Sequence, residues 1–256
     1  MKGPLFEGVG VALVTLFHDD GSLDAEATAA HAARLVELGV RAIVVAGSTG
    51  EAAALEPSER VELIEAVRKA LPQSGVPIVA GTGAPSRRQA AALTRQAREA
   101  GADGVLALSP PGKADLEAYY GAVREAASGL SVLAYHYPAA SAPGIPVERL
   151  SGLPVDGVKD SSGDSVRLLD TRTSFDRPCY VGSAAILALA GPLGCAGAIL
   201  ALANAEPERC AAAFSGDAEA QLALAGPDRA TRAAFPGGIK ALTAARFGTA
   251  TTSRLG

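Results

Sequence analysis

Arg41-Ala42-Ile43-Val44-Val45-Ala46-Gly47-Ser48-Thr49-Gly50-Glu51 decides how the rest of the chain is read. After Arg41, its first half is an unbroken apolar run rich in β-branched residues. A strand covered on both faces reads this way, whereas a half-exposed strand alternates apolar with polar. The run then breaks into Gly-Ser-Thr-Gly, a loop of small residues.

The same grammar repeats in both directions. Upstream, residues 8–15 form a first strand, followed by a turn at Asp19-Asp20-Gly21. Asp24 then caps a helix that reaches Leu38, with Gly39 just past its end. Downstream, a helix is predicted over 58–70, a strand over 76–80 and a helix over 86–100. A strand over 104–108 follows, then a helix over 113–127 and a strand over 132–137. The next units are a helical turn at 147–150, a strand over 157–159 and a helix over 165–175. A strand over 179–181, a helix over 183–193 and a strand over 198–200 complete the series. Eight strand–helix units in this length predict an α/β fold, a (β/α)8 TIM barrel, over an open doubly wound sheet. No Gly-x-Gly-x-x-Gly opens the first helix, which counts against a dinucleotide fold. Residues 1–216 are assigned to the barrel. Residues 217–256 are assigned to a short C-terminal helical appendage packed on it, with a last helix over 239–247 closed by Gly248.

Composition narrows the function. Of 256 residues, 48% are hydrophobic and 20% charged, and the net charge is −4. No basic block stands out, so neither nucleic acid nor an anionic membrane is an expected partner. Residues 184–203 carry no charge and are long enough to span a bilayer, but Gly191-Pro192 and Gly194 interrupt them. They read as a buried helix, a turn and a buried strand. Met1-Lys2-Gly3-Pro4 has no apolar leader character, and a cytoplasmic protein is expected. Cys179, Cys195 and Cys210 have no metal-ligand spacing and read as reduced, packed thiols. Only three histidines, His18, His31 and His136, are scattered along the chain, so no metal and no cofactor is expected.

Barrel chemistry gathers at the C-terminal ends of strands. The second strand ends in Gly47-Ser48-Thr49-Gly50, whose N–H groups and hydroxyls suit a small carboxylate; alone, it is also what a Gly-rich turn looks like. The fifth ends in Tyr135-His136-Tyr137-Pro138. Either tyrosine qualifies as a proton donor, since both face one way and His136 faces the other. The sixth ends in Lys159, one of five lysines in the chain. A lysine at the end of a buried strand can lose solvation and become a nucleophilic amine near neutral pH; alone, it is also what a surface lysine in a turn looks like.

Together these three strand ends resemble the dihydrodipicolinate synthase/N-acetylneuraminate lyase family, the pyruvate-type class I aldolases. Val79-Ala80-Gly81-Thr82-Gly83, Gly157-Val158-Lys159-Asp160 and Gly194-Cys195-Ala196-Gly197-Ala198-Ile199 extend the resemblance over most of the chain. It implies that Lys159 forms a Schiff base with a 2-oxo acid, that Tyr135 moves protons and that Ser48 links to that tyrosine. It further implies that Gly47, Thr49 and Gly50 bind the carboxylate, while Gly182 and Ile199 line the pocket. A homo-oligomer, dimer or tetramer, is implied too.

Two segments depart from the synthase pattern. Tyr137-Pro138-Ala139-Ala140 lacks the arginine that grips the second substrate's carboxylate, and looks more like the 2-keto-3-deoxy-sugar-acid aldolases. Ser109-Pro110-Pro111-Gly112 lacks the strand-four relay tyrosine; water, Ser109 and Tyr137 are the substitutes on offer. The region after the barrel is also shorter than usual. The leading expectation is an aldolase or lyase for a 2-keto-3-deoxy sugar acid or hydroxy-oxo acid. A 4-hydroxy-tetrahydrodipicolinate synthase of lysine biosynthesis and a catalytically reduced 2-oxo-acid-binding barrel are the alternatives.

Overall fold

The computed structural model describes residues 3–255; Met1, Lys2 and Gly256 lie outside the described residues. Eight parallel strands close into a barrel in sequence order: β1 Gly8–Ala12, β2 Ile43–Val45, β3 Ile78–Gly81, β4 Gly104–Leu108, β5 Ser131–His136, β6 Gly157–Asp160, β7 Cys179–Val181 and β8 Gly197–Leu200. The barrel is sealed by pairing of β1 with β8, Gly8 opposite Gly197. The crossovers carry α1 Ala25–Glu37, α2 Pro57–Ala70, α3 Arg87–Glu99, α4 Leu116–Ala127, α5 Val147–Leu150, α6 Ser165–Ser174, α7 Leu187–Ala190 and α8 Pro207–Phe214. The expected (β/α)8 barrel is the fold observed. After it come α9 Ala218–Ala223, α10 Ala225–Ala233 and α11 Gly237–Phe247.

Alternation along the strands divides the apolar residues between two cores. Val44, Val79, Leu106, Leu133, Tyr180 and Ile199 fill the barrel with Phe6. Their neighbours Ile43, Val45, Ala80, Val105, Val132 and Val181 face the helices. Phe6 stacks on Tyr180 with ring centroids 4.7 Å apart, and the Tyr180 hydroxyl donates to the Phe6 carbonyl at 3.0 Å. That pair fills the N-terminal end of the barrel interior and leaves the opposite end for chemistry.

Several boundaries shift for local reasons. The first strand stops at Ala12, because beyond it the Val14 N–H donates to the Asn204 side chain at 3.0 Å. The second helix begins at Pro57, where Glu59 reaches back to accept from the Glu56 N–H at 2.9 Å. The fourth begins at Leu116, because Asp115 accepts from the Ala118 N–H at 3.0 Å. The helix expected over 183–193 is only a 3₁₀ turn, Ala184–Ile186, running into the single turn of α7. No helix among the described residues is long and apolar enough to cross a membrane. Gly248, at φ +69°, closes α11 with its N–H donating to Ala244 at 2.8 Å.

Candidate active site

Lys159 and Tyr135 stand directly opposite each other on β6 and β5. Both side chains are 5% exposed, and the Lys159 Nζ lies 4.2 Å from the centre of the Tyr135 ring. No carboxylate pairs with Lys159 among the described residues. Burial acts on the two groups in opposite senses, because it penalises whichever form is charged. It takes the Lys159 amine down to about 7. It pushes the Tyr135 phenol up, against the hydroxyls of Ser161 and Ser48, which pull it back. At neutral pH the pair is therefore a substantially free amine beside a protonated phenol, a nucleophile and a proton donor in contact.

The surroundings are shaped around that lysine. A Cβ on Gly182 would sit 2.8 Å from Lys159 Cε and would collide with Ser161 Oγ, so only glycine leaves the amine its path. The Gly182 N–H donates to the Asp160 carbonyl at 2.6 Å, which ties β7 to β6 beside the lysine. Asp160 points away and is paired with Arg167. Ser161 donates to the Tyr135 hydroxyl at 3.4 Å, and the Tyr137 ring stacks on Tyr135 with centroids 5.8 Å apart. His136 faces away from the two tyrosines, as its place between them predicts, and its Nδ1 accepts from the Ile145 N–H at 2.8 Å.

Ser48, Thr49, Tyr135, Lys159, Gly182 and Ile199 converge on one cavity of about 440 Å³. Gly47 and Gly50, also expected to bind the carboxylate, do not line it. Gly50 is packed into the core instead: its carbonyl accepts from Thr15 Oγ1 at 2.7 Å, and a Cβ there would meet the Leu13 carbonyl at 2.9 Å. The Gly47 carbonyl accepts from the Ala52 N–H at 3.1 Å and closes the turn. The two glycines form the bend that presents Ser48 and Thr49.

That bend is held from behind. Ala46 and Glu51 flank it in the left-handed region, at φ +51° and +56°, conformations that persist only where the surroundings dictate them. Glu51 is fully buried and ion-paired with Lys240 of α11. It also accepts from the Ser253 hydroxyl at 2.9 Å and from the Arg254 and Leu255 N–H groups at 2.7 Å each. Burial raises its carboxyl, but the bonds from Lys240, Leu255 and Ser253 outweigh it and hold the group below the ordinary range. Arg254 adds a two-pronged contact to Glu59, at 2.7 and 2.6 Å.

The sequence did not indicate the rest of the cavity lining: Ser161, Ser162 and Ser183 take part in it, joined by Asp228, Thr231 and Arg232 of α10. Ser161 and Ser162 come just after Lys159-Asp160 and were available to the eye; the α10 residues border the cavity only because that helix docks there. Arg232 Nε is bound to Asp228 at 2.9 Å. Among the described residues no cluster of three or more His, Cys, Asp or Glu side chains is arranged to hold a metal ion.

The family model for the dihydrodipicolinate synthetase family matches residues 5–231. The chain belongs to that family. An uncharacterised DapA-like lyase of Halobacterium salinarum is 37% identical over 211 residues, covering 78% of this chain and 68% of that protein. A 4-hydroxy-tetrahydrodipicolinate synthase of Pseudomonas aeruginosa is 36% identical over 233 residues, 86% of this chain and 80% of that one. Among solved structures, the dihydrodipicolinate synthase of Acinetobacter baumannii complexed with pyruvate superimposes with a TM-score of 0.83 at 27% identity. That match covers 93% of this chain and 87% of the other. The dihydrodipicolinate synthase of Thermotoga maritima gives 0.89 at 25%, over 98% and 92%. This member of the dihydrodipicolinate synthetase family is an aldolase/lyase of that class.

Proposed function

We propose that Lys159 forms a Schiff base with pyruvate or another 2-oxo acid, and that the enzyme cleaves or condenses a 2-keto-3-deoxy sugar acid or related hydroxy-oxo acid. The observation that carries this reading is the unpaired, buried Lys159 amine, with a pKa of about 7, against the protonated Tyr135 phenol. The amine attacks C2 of the oxo acid, and loss of water from the carbinolamine leaves an iminium that withdraws electrons from C3. In the cleavage direction the C4 hydroxyl gives up its proton and the C3–C4 bond breaks. An aldehyde and an enamine result; the enamine takes a proton at C3, and water releases pyruvate. Tyr135, touching the lysine and bonded to Ser161, is the group within reach for these transfers. Ser48 and Thr49 provide the carboxylate end.

The choice of partner rests on the polar groups that line the cavity beside the lysine and tyrosine. Ser161, Ser162, Ser183 and Thr231 offer hydroxyls, which match a hydroxylated chain. A second reading, condensation of pyruvate with a carboxylated aldehyde, is favoured by the names of the synthase relatives. It needs a cation for the second carboxylate. Ala140 stands where the grip is expected, and Arg232 in the cavity lining is already bound to Asp228. Incubation with a panel of 2-keto-3-deoxy aldonic acids, with pyruvate release coupled to lactate dehydrogenase, tests the choice. Cleavage of at least one at ordinary turnover supports the proposal. Condensation with aspartate semialdehyde and no cleavage across the panel overturns the sugar-acid reading.

A further inference from the structure

At the end of the barrel opposite Lys159, a cavity of about 720 Å³ is lined by Glu7, Arg172, Arg177, Cys179, Cys195 and Phe214, among others. Cys179 opens β7, and Cys195 lies just ahead of β8. The Ala196 N–H donates to the Cys179 carbonyl at 2.9 Å, so the two cysteines are diagonal neighbours across the β7–β8 seam. Both belong to the outer core, between barrel and helices. The two thiols are within hydrogen-bonding reach of each other, the closeness from which a disulfide can form. Arg172 of α6 comes alongside: its Nε donates to the Leu193 carbonyl at 3.1 Å, and its outer nitrogen lies 3.4 Å from where a Cβ on Gly194 would be.

We infer that Cys179 and Cys195 are a peroxide-sensitive dithiol, a redox site separate from the aldolase centre, with Cys195 as the attacking sulfur and Cys179 as the resolving one. The roles follow from access and charge. Cys195 is 7% exposed at the cavity wall, whereas Cys179 is wholly covered. The hydrogen bond from Cys179, aided by Arg172, holds the Cys195 thiol below its usual range against burial; the same bond and burial push Cys179 up. Hydrogen peroxide entering the cavity is attacked by the Cys195 thiolate. The S–O bond forms, the O–O bond breaks, and the departing hydroxide takes up the proton that the Cys195 thiol released and leaves as water. Cys179 then attacks the sulfenic sulfur, an S–S bond forms, and the hydroxyl departs as a second water with the Cys179 proton. Two thiols and one hydrogen peroxide become one disulfide and two waters. Cys210, on the buried face of α8 with its thiol pushed well up by burial, is the internal control.

The test is hydrogen peroxide titration of the whole chain, followed by alkylation under denaturing conditions and peptide mapping. The expected result is a Cys179–Cys195 linkage, reversed by dithiothreitol, with Cys210 still alkylated and reacting at least about tenfold more slowly. In Cys179→Ser the resolving thiol is gone, and Cys195 is expected to be trapped by dimedone as a sulfenic acid. The inference is overturned if the wild-type chain yields no linkage, or if Cys210 oxidises as fast as Cys195. Neither readout depends on aldolase activity, so the inference stands or falls apart from the proposed reaction.

Discussion

The Lys159 amine lies over the face of the Tyr135 ring, 4.2 Å from its centre, on a strand paired residue for residue with the tyrosine's own. One cause, loss of solvation, serves both partners, because it favours the neutral amine and the neutral phenol together. A carboxylate beside Lys159 would restore its charge and remove the nucleophile; none is there among the described residues.

That arrangement costs stability. Lys159 titrates near 10.5 when unfolded and at about 7 when folded. Below pH 7 both states are protonated and the full cost applies; above 10.5 both are neutral and the cost disappears, so this group's contribution improves as pH rises between the two. At about 1.4 kcal/mol per unit the cost is on the order of 5 kcal/mol at most. Lys159→Met is therefore expected to unfold at higher temperature than the parent at pH 7, with the difference shrinking toward pH 10. Thermal melts across that range check it.

Tyr135→Phe keeps the ring over Lys159 and removes the hydroxyl. Turnover is expected to fall by about 10²–10⁴-fold, the scale of general acid–base catalysis. The folded structure should persist, since the hydroxyl is bonded to the Ser161 and Ser48 hydroxyls and not to a buried charge. Steady-state kinetics beside a circular dichroism melt separates the two effects.

Glu51→Gln leaves Lys240 buried without its counter-charge. Breaking one half of a buried ion pair costs about 3–5 kcal/mol. Urea unfolding is expected to register a loss of that size. Lys240→Met with Glu51→Gln together should cost less than the two single changes added, as partners in one contact do.

His31 sets an acid limit. It is buried against Phe247, and burial, with Arg34 adding, lowers it to about 4 from 6.5. Above pH 6.5 both states are neutral and nothing is lost. As pH falls toward 4 the unfolded chain takes up a proton that the folded one refuses, removing about 3 kcal/mol. In His31→Leu the loss of stability between pH 6.5 and 4 should be correspondingly shallower, measured by denaturant midpoints at each pH.

The barrel was legible because the strands are buried on both faces and so read as apolar runs, as in 42–46 and 104–108. Lys159, Tyr135, Ser48 and Thr49 were legible because strand ends bring them together. The packing of Gly50 was not legible: a glycine in a loop of small residues does not announce that a Cβ there would meet the Leu13 carbonyl. Asp228, Thr231 and Arg232 gave no signal, since a helix's polar face does not say which cavity it will border. The link between Glu51 and residues 253–255 spans some two hundred positions and has no local pattern. Cys179 and Cys195 likewise look like two packed thiols until β7 and β8 are paired.

Borohydride reduction in the presence of pyruvate tests the nucleophile most directly. Peptide mapping is expected to find the reduced pyruvyl adduct on Lys159, with a trapping rate that climbs with pH through about 7 as the amine loses its proton. An unmodified Lys159 under saturating pyruvate, with the chain folded, would contradict the Schiff-base assignment outright.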